Sequence, residues 1–239
     1  MQRIREDHLR ILRYYRFQAR FGAELDPAAE AACAALAPTL KGLSRERVAM
    51  ELLNLLALPD PVTTLARMDT VGVLPIALPE RSTDGLALLR NLIGWEQAHA
   101  MAPDPLRRLA ALLPADPRLA EQAAARLRLS TAQRKRLALA AARQAGDRNS
   151  PRALAYRLGR AEALDRLALT GGDPSSLAGW DIPAFPLKGG AIIARGISAG
   201  PDVARLLRAV EDRWVARQFP GPEEVDALLH EVLTADRLR

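Results

Sequence analysis

Asp7 and Arg10 are the first residues here whose types and spacing define a particular chemistry. An ionised aspartate only accepts hydrogen bonds, and an arginine only donates them. Held one helical turn apart, the two complement a base edge that carries an amino group beside an unprotonated ring nitrogen. Cytosine and adenine share that edge, whereas guanine and uracil present the reverse. Glu6 stands four residues before Arg10, the spacing at which an acid steadies a guanidinium on a helix. The same spacing also describes an ordinary surface ion pair worth roughly 0.2–1 kcal/mol. Residue types alone leave both readings open.

These side chains need an element to hold them, and the pattern supplies one. From Arg3 onward, Ile4, His8, Ile11, Leu12, Tyr15 and Ala19 share one apolar arc, while Glu6, Asp7, Arg10, Arg13, Tyr14 and Phe17 share the other. The pattern predicts a helix already in stride at residue 3 and stopped by Gly22. Asp26-Pro27 opens a second helix to about Leu40. Ser44 caps a third, whose stripe is Val48, Leu52, Leu55 and Leu56, and Arg47 and Glu51 are expected to pair within it at i,i+4.

Glu6-Asp7-His8-Leu9-Arg10-Ile11-Leu12-Arg13, running into Arg16-Phe17-Gln18-Ala19-Arg20-Phe21-Gly22, resembles the Glu-Asp-x-x-Arg neck motif of bacterial class II CCA-adding tRNA nucleotidyltransferases and their poly(A) polymerase relatives. The resemblance implies that Asp7 and Arg10 select the incoming CTP or ATP, with Glu6 in support and Arg13 in the same nucleotide-binding set. Ser44-Arg45-Glu46-Arg47, followed by Glu51-Leu52, resembles the next neck motif, whose implied task is to brace the base-reading helix through Arg47 and Glu51. Near the end, Phe185-Pro186-Leu187-Lys188-Gly189-Gly190, then Gly200-Pro201, Leu206-Leu207, Glu211 and Trp214, resembles the family's tail. Lys188, Arg195, Arg205 and Arg208 are the RNA contacts this implies. Gly190-Ala191 stand where the family often has an acid after the first glycine, and Ala204 replaces a common glycine. Over 75–180 only the helical rhythm agrees.

Composition fits an all-α chain, an elongated multi-helix array with little or no sheet. Hydrophobic residues are 49% and aromatics 4% of the 239 residues, and strand signals are scarce. The reading divides it into a neck (1–72), a helical body (73–180) and a tRNA-binding tail (181–239). Pro75 to Asp84 reads as a loop, Ser130 with Gln133 as a capping box, and the glycines near 190–200 as a tight turn before a long final helix. A formal charge of +6 suits a polyanionic partner, though an arginine-rich chain also follows from genomic bias. The single cysteine, Cys33, excludes an internal disulfide and a cysteine-based zinc site and fits a reducing cytoplasm. His8, His99 and His230 have no metal-ligand spacing. No apolar run is long enough for a membrane span. Arg143 reads as an ordinary helix-surface arginine, and changes at Arg118 and Arg126 are expected to weaken RNA binding less than changes at Arg205 and Arg208.

Nucleotidyl transfer uses carboxylate-held metal ions. The family places these in a head with Asp-x-Asp, and no Asp-x-Asp occurs in this sequence. No catalytic residue or metal ligand is therefore assigned. ATP and CTP are the implied substrates, tRNA the implied partner, and Mg²⁺ is implied with ligands outside this sequence. The expectation is the C-terminal part of a nucleotidyltransferase, inactive alone, its head missing or separately encoded. A stand-alone tRNA- or RNA-binding module, a poly(A) polymerase fragment and a plain helical scaffold stay open as alternatives.

Overall fold

Short acceptor side chains followed by proline set many of the helix starts, because proline has no N–H to leave unsatisfied and the acceptor caps its neighbours. The computed structural model describes residues 7–22 and 26–237, and every regular element in them is helical. The α-helices are α1 (Arg10–Phe21), α2 (Pro27–Leu36), α3 (Arg45–Leu56), α4 (Val62–Thr70), α5 (Val73–Ala77), α6 (Gly85–Ala98) and α7 (Pro105–Leu112). They continue with α8 (Pro117–Arg126), α9 (Thr131–Ala141), α10 (Pro151–Leu158), α11 (Arg160–Thr170), α12 (Gly189–Ile193), α13 (Pro201–Ala216) and α14 (Pro222–Arg237). Asp26, Ser44, Asp104 and Asp116 cap α2, α3, α7 and α8 through their side chains. Ser130 and Gln133 form the expected capping box on α9. Gly22 ends α1 in the left-handed region at φ 62°, where a side chain would be strained.

The chain forms two compact units. The first comprises Met1–Asn149 and Glu162–Asp173. Its core is leucine and alanine: Leu9, Ile11, Leu12 and Tyr15 of the first helical segment meet Val48, Leu52, Leu55 and Leu56 of α3 in one buried cluster. At Gly85 a Cβ would lie 2.8 Å from the Leu112 carbonyl oxygen, so α6 can start this close to the end of α7 only with glycine.

Charge is also buried in this unit. Arg108, 1% exposed, donates to Glu96 Oε2 at 2.8 Å and to the carbonyls of Leu56 (2.8 Å), Leu58 and Pro59. It thus satisfies carbonyls at the C-terminal end of α3. Arg107 bridges Glu96 and Asp165, and Arg136 bridges Asp165 and Asp104. Each buried carboxylate here is met by a guanidinium, which burial of an ion requires.

The second unit comprises Ser150–Ala161 and Pro174–Arg239. Leu206, Val210 and Trp214 of α13 pack with Val225, Leu228, Leu229 and Val232 of α14 and with Ile192 of α12. Tyr156, Phe185 and Phe219 surround the Trp214 ring at centroid distances of 5.0–5.5 Å.

Three expectations are corrected. Val73–Ala77 is a helix although it contains Pro75; proline sits in its first turn, and Val73, Leu74 and Ala77 are buried. The expected long final helix is two, broken where Gln218 and Phe219 turn left-handed and Trp214 Nε1 donates to the Pro220 carbonyl at 2.8 Å. Arg126 holds both oxygens of Glu80 at 2.6 and 2.7 Å. Arg143 donates to the carbonyls of Ala110 (3.2 Å) and Leu113 (2.9 Å), capping the end of α7, and burial lowers its pKa. Arg143→Ala is accordingly expected to destabilise the chain by about 1–3 kcal/mol, the usual cost of leaving buried carbonyls unpaired. A chemical-denaturation midpoint equal to the parent's would contradict this.

Candidate functional site

The described part of the first helical segment begins later than its amphipathic pattern predicts. Asp7 lies in the turn before α1, not on the helix. The reason is local. Asp7 Oδ1 accepts the backbone N–H of Leu9 at 3.1 Å, and its carbonyl accepts that of Arg10 at 3.0 Å. An aspartate competes well for such donors at a helix entrance. Glu6 lies outside the described residues.

Asp7 Oδ2 accepts from Arg47 Nη2 of α3 at 3.0 Å. Arg47 therefore reaches across to Asp7, and its expected pairing with Glu51 within α3 is not what forms. Burial pushes the Asp7 pKa up, but the Leu9 N–H and the charges of Arg47 and Arg13 outweigh it, and the net shift is downward. Asp7 is thus an ionised acceptor at neutral pH, 29% exposed, with two of its roughly four lone-pair sites engaged.

Glu51 is taken by α1 instead. Only 2% exposed, it accepts Arg13 Nε on one oxygen at 2.9 Å and Arg16 Nε on the other at 2.7 Å. The hydrogen bond from Arg13 to Glu51 raises the Arg13 pKa. Because only Nε is used, the terminal amino groups of Arg13, 43% exposed, keep their donors for other acceptors. Arg10 is exposed and has no ion pair among the described residues. One acceptor carboxylate and two guanidiniums with donors that no described residue engages thus belong to the start of α1, braced by α3.

Arg16 was not among the residues singled out by the first motif. A readable signal existed: Glu51 is three residues after Val48 and four before Leu55, inside the apolar stripe of α3. A carboxylate there needs cationic partners from the packed helix, and i,i+3 arginines supply both at once.

Residues 22–84 match the family described as "Probable RNA and SrmB-binding site of polymerase A". The mitochondrial CCA tRNA nucleotidyltransferase 1 of Danio rerio is 28% identical, over 91% of this chain and 54% of its own length. The mouse (Mus musculus) enzyme of the same name is 29% identical, over 89% and 52%. A CCA-adding enzyme solved with ATP superposes with a TM-score of 0.67 at 17% identity, covering 97% of this chain and 61% of that one. The chain is thus similar to CCA-adding enzymes along most of its length and to a poly(A) polymerase RNA-binding family over residues 22–84.

A Thermotoga maritima CCA-adding enzyme, solved in complex with a tRNA, shares the fold at TM-score 0.61 and 19% identity, over 97% of this chain and 62% of its own. The chain spans about half the length of the curated relatives it matches. Of the four residues expected to contact RNA, Lys188 precedes α12, Arg195 follows it, and Arg205 and Arg208 lie on α13; all four are exposed. Arg195 pairs with Asp226, and Arg205 with Asp202 at 3.0 Å and Asp236 at 2.7 Å. The hydrogen bonds that Arg205 donates to Asp236 and Asp202 raise its pKa. Lys188 and Arg208 have no carboxylate partner among the described residues.

Mg²⁺ is the ion that the resemblance to CCA-adding enzymes implies. Among the described residues no group of three or more His, Cys, Asp or Glu side chains is arranged to hold a metal ion. At this site, moreover, Asp7 and Glu51 are both committed to arginines. The carboxylates present do not fit the metal, and no metal-assisted step is assigned to them. No helix among the described residues is long and apolar enough to cross a membrane.

Proposed function

We propose that this chain selects the incoming CTP or ATP and holds tRNA during 3′-end nucleotide addition, while the metal-bearing carboxylates come from a head domain, in the same polypeptide or a separate one. On this reading 1–72 is the neck, 73–180 the body and 181–239 the tail. Asp7 accepts from the exocyclic amine of cytosine or adenine, and Arg10 donates to the neighbouring ring nitrogen. Arg13 offers its terminal amino groups nearby, and Glu6 supports Arg10. The observation that carries the reading is the double anchoring of Asp7, by the Leu9 N–H and by Arg47, beside arginines whose outer donors stay unengaged. Such anchoring leaves acceptor lone pairs aimed rather than free to rotate, which is what discrimination between base edges requires. Solved relatives carrying ATP and CTP support the two nucleotides as substrates. The lone, buried Cys33 supports a reducing compartment, and we place the chain in the cytoplasm.

The test uses residues 1–239 as they stand. The chain is expected to bind tRNA with an affinity that falls as salt rises, through phosphate contacts, and to incorporate no nucleotide with CTP, ATP and Mg²⁺. Charge reversal at Arg208 and Lys188 should weaken tRNA binding more than reversal at Arg118, an exposed arginine of α8. Salt-independent binding would remove the RNA-holding role, and incorporation above a buffer control would reveal a metal site within the chain.

A further inference from the structure

The chain has four phenylalanines, and two of them face water on one helix. Phe17 is 47% and Phe21 67% exposed, whereas Phe185 and Phe219 pack on the core of the second unit. The two exposed rings are nearly parallel, 7° apart in plane and 6.0 Å between centroids. Each has an arginine over it: Arg16 Cζ lies 4.8 Å from the Phe17 centroid and Arg20 Cζ 5.7 Å from that of Phe21. Glu51 fixes Arg16 from below, and Arg20 has no ion pair among the described residues. At 3.6 residues per turn, Phe17 and Phe21 fall within about 40° of one line along α1. The result is a stripe of cation and aromatic rings opposite the buried face of Ile11, Leu12 and Tyr15.

We propose that this stripe is a stacking platform for unpaired bases of an RNA strand, distinct from the Asp7 and Arg10 edge-reading pair. It rests on the RNA-binding part of the proposed function and not on base selection. Charge complementarity decides the occupant. A phenyl face accepts any base, since every base has a π-face, while Arg20, beside Phe21, meets a phosphate of the same strand. A guanidinium over an aromatic ring keeps its N–H donors in the ring plane's periphery, open to a phosphate. A duplex cannot use the rings, because its base faces are already stacked on one another. The platform therefore discriminates single strands from duplexes, without reading sequence.

Fluorescence anisotropy with a labelled single-stranded oligoribonucleotide, free and annealed to its complement, tests this on the 1–239 chain. Phe21→Ala and Phe17→Ala are each expected to weaken single-strand binding about fivefold or more and to leave duplex binding unchanged. Phe21→Leu, which keeps apolar bulk without a π-face, should lose as Ala does, and Phe21→Trp should retain binding. Because both rings face solvent, Leu and Trp also serve as folded controls, checked by helical circular dichroism. Equal affinity of the Leu variant and the parent, or parallel losses on single strand and duplex, would overturn the platform. So would unchanged RNA binding accompanied by altered self-association in light scattering, which would make the stripe a protein-docking face. A parent chain that binds neither RNA form would instead overturn the RNA-holding role itself, which separates the two failures.

Discussion

Asp7→Asn, in a form of this protein that includes a catalytic head, is expected to cut the preference for CTP over UTP by about ten- to a hundredfold while sparing most of the overall rate. The estimate is the loss of one charge-assisted hydrogen bond in a partly desolvated pair, about 1.5–3 kcal/mol. Asparagine keeps an oxygen for the Leu9 N–H and so keeps the entrance to α1. What changes is the Oδ2 side, where a donor replaces an acceptor, gives up the hydrogen bond from Arg47 and no longer matches the cytosine amine. Alanine removes the same acceptor and the cap together, so Asp7→Ala should lose selection and about 1 kcal/mol of stability besides. Arg10→Lys should not restore selection, since an ammonium cannot reproduce the planar donor fork. Arg134 is the control: exposed on α9, it has no carboxylate partner among the described residues. Competition assays between CTP and UTP measure the outcome, and an unchanged ratio in both Asp7 variants would remove Asp7 from base reading.

The largest effect on folding is expected from Arg108→Met. Methionine fills much of the arginine's space but leaves Glu96 without one of its two cations and frees the carbonyls of Leu56, Leu58 and Pro59. Breaking a buried pair from one side costs about 3–5 kcal/mol. For a cooperative unit of this size the melting midpoint should fall by roughly 6–20 °C. The effect should also reach the candidate site, because those carbonyls end α3, the helix that carries Arg47 and Glu51. Calorimetry on the parent and variant chains measures the change. An unaltered midpoint would mean the carbonyls find other donors.

Much of the fold is written locally, and that part was legible. Pro27, Asp26, Ser44 and the Ser130–Gln133 box announce helix starts by side chains that bond within three residues, and the structure uses each one. Long-range commitments were less legible. Arg143 and Arg126 look like any helix arginine in sequence, and only the packing of distant segments shows which carbonyls or carboxylates they meet. The same limit applied to Arg47. Its spacing to Glu51 is right for an intrahelical pair, but a weak surface pair loses to partners offered by a packed neighbouring helix. Asp7 shows a subtler case, since the apolar arc runs on through residues that the structure places in a turn. Periodicity records which side chains face the core and does not record where the first helical hydrogen bond closes.

Apart from Arg208, the arginines of α13 and its flanks are already engaged by acids of the same unit: Arg195 with Asp226, Arg205 with Asp202 and Asp236, and Arg213 and Arg217 with Glu231. A phosphate arriving there exchanges one anion for another instead of displacing condensed counterions alone. Added salt loosens both the internal pair and the incoming one, so the two effects partly cancel. The tail's share of RNA affinity should therefore be less sensitive to ionic strength than its arginine count suggests, and a salt titration will report chiefly on cations such as Arg208 and Lys188 that have no acid to leave behind.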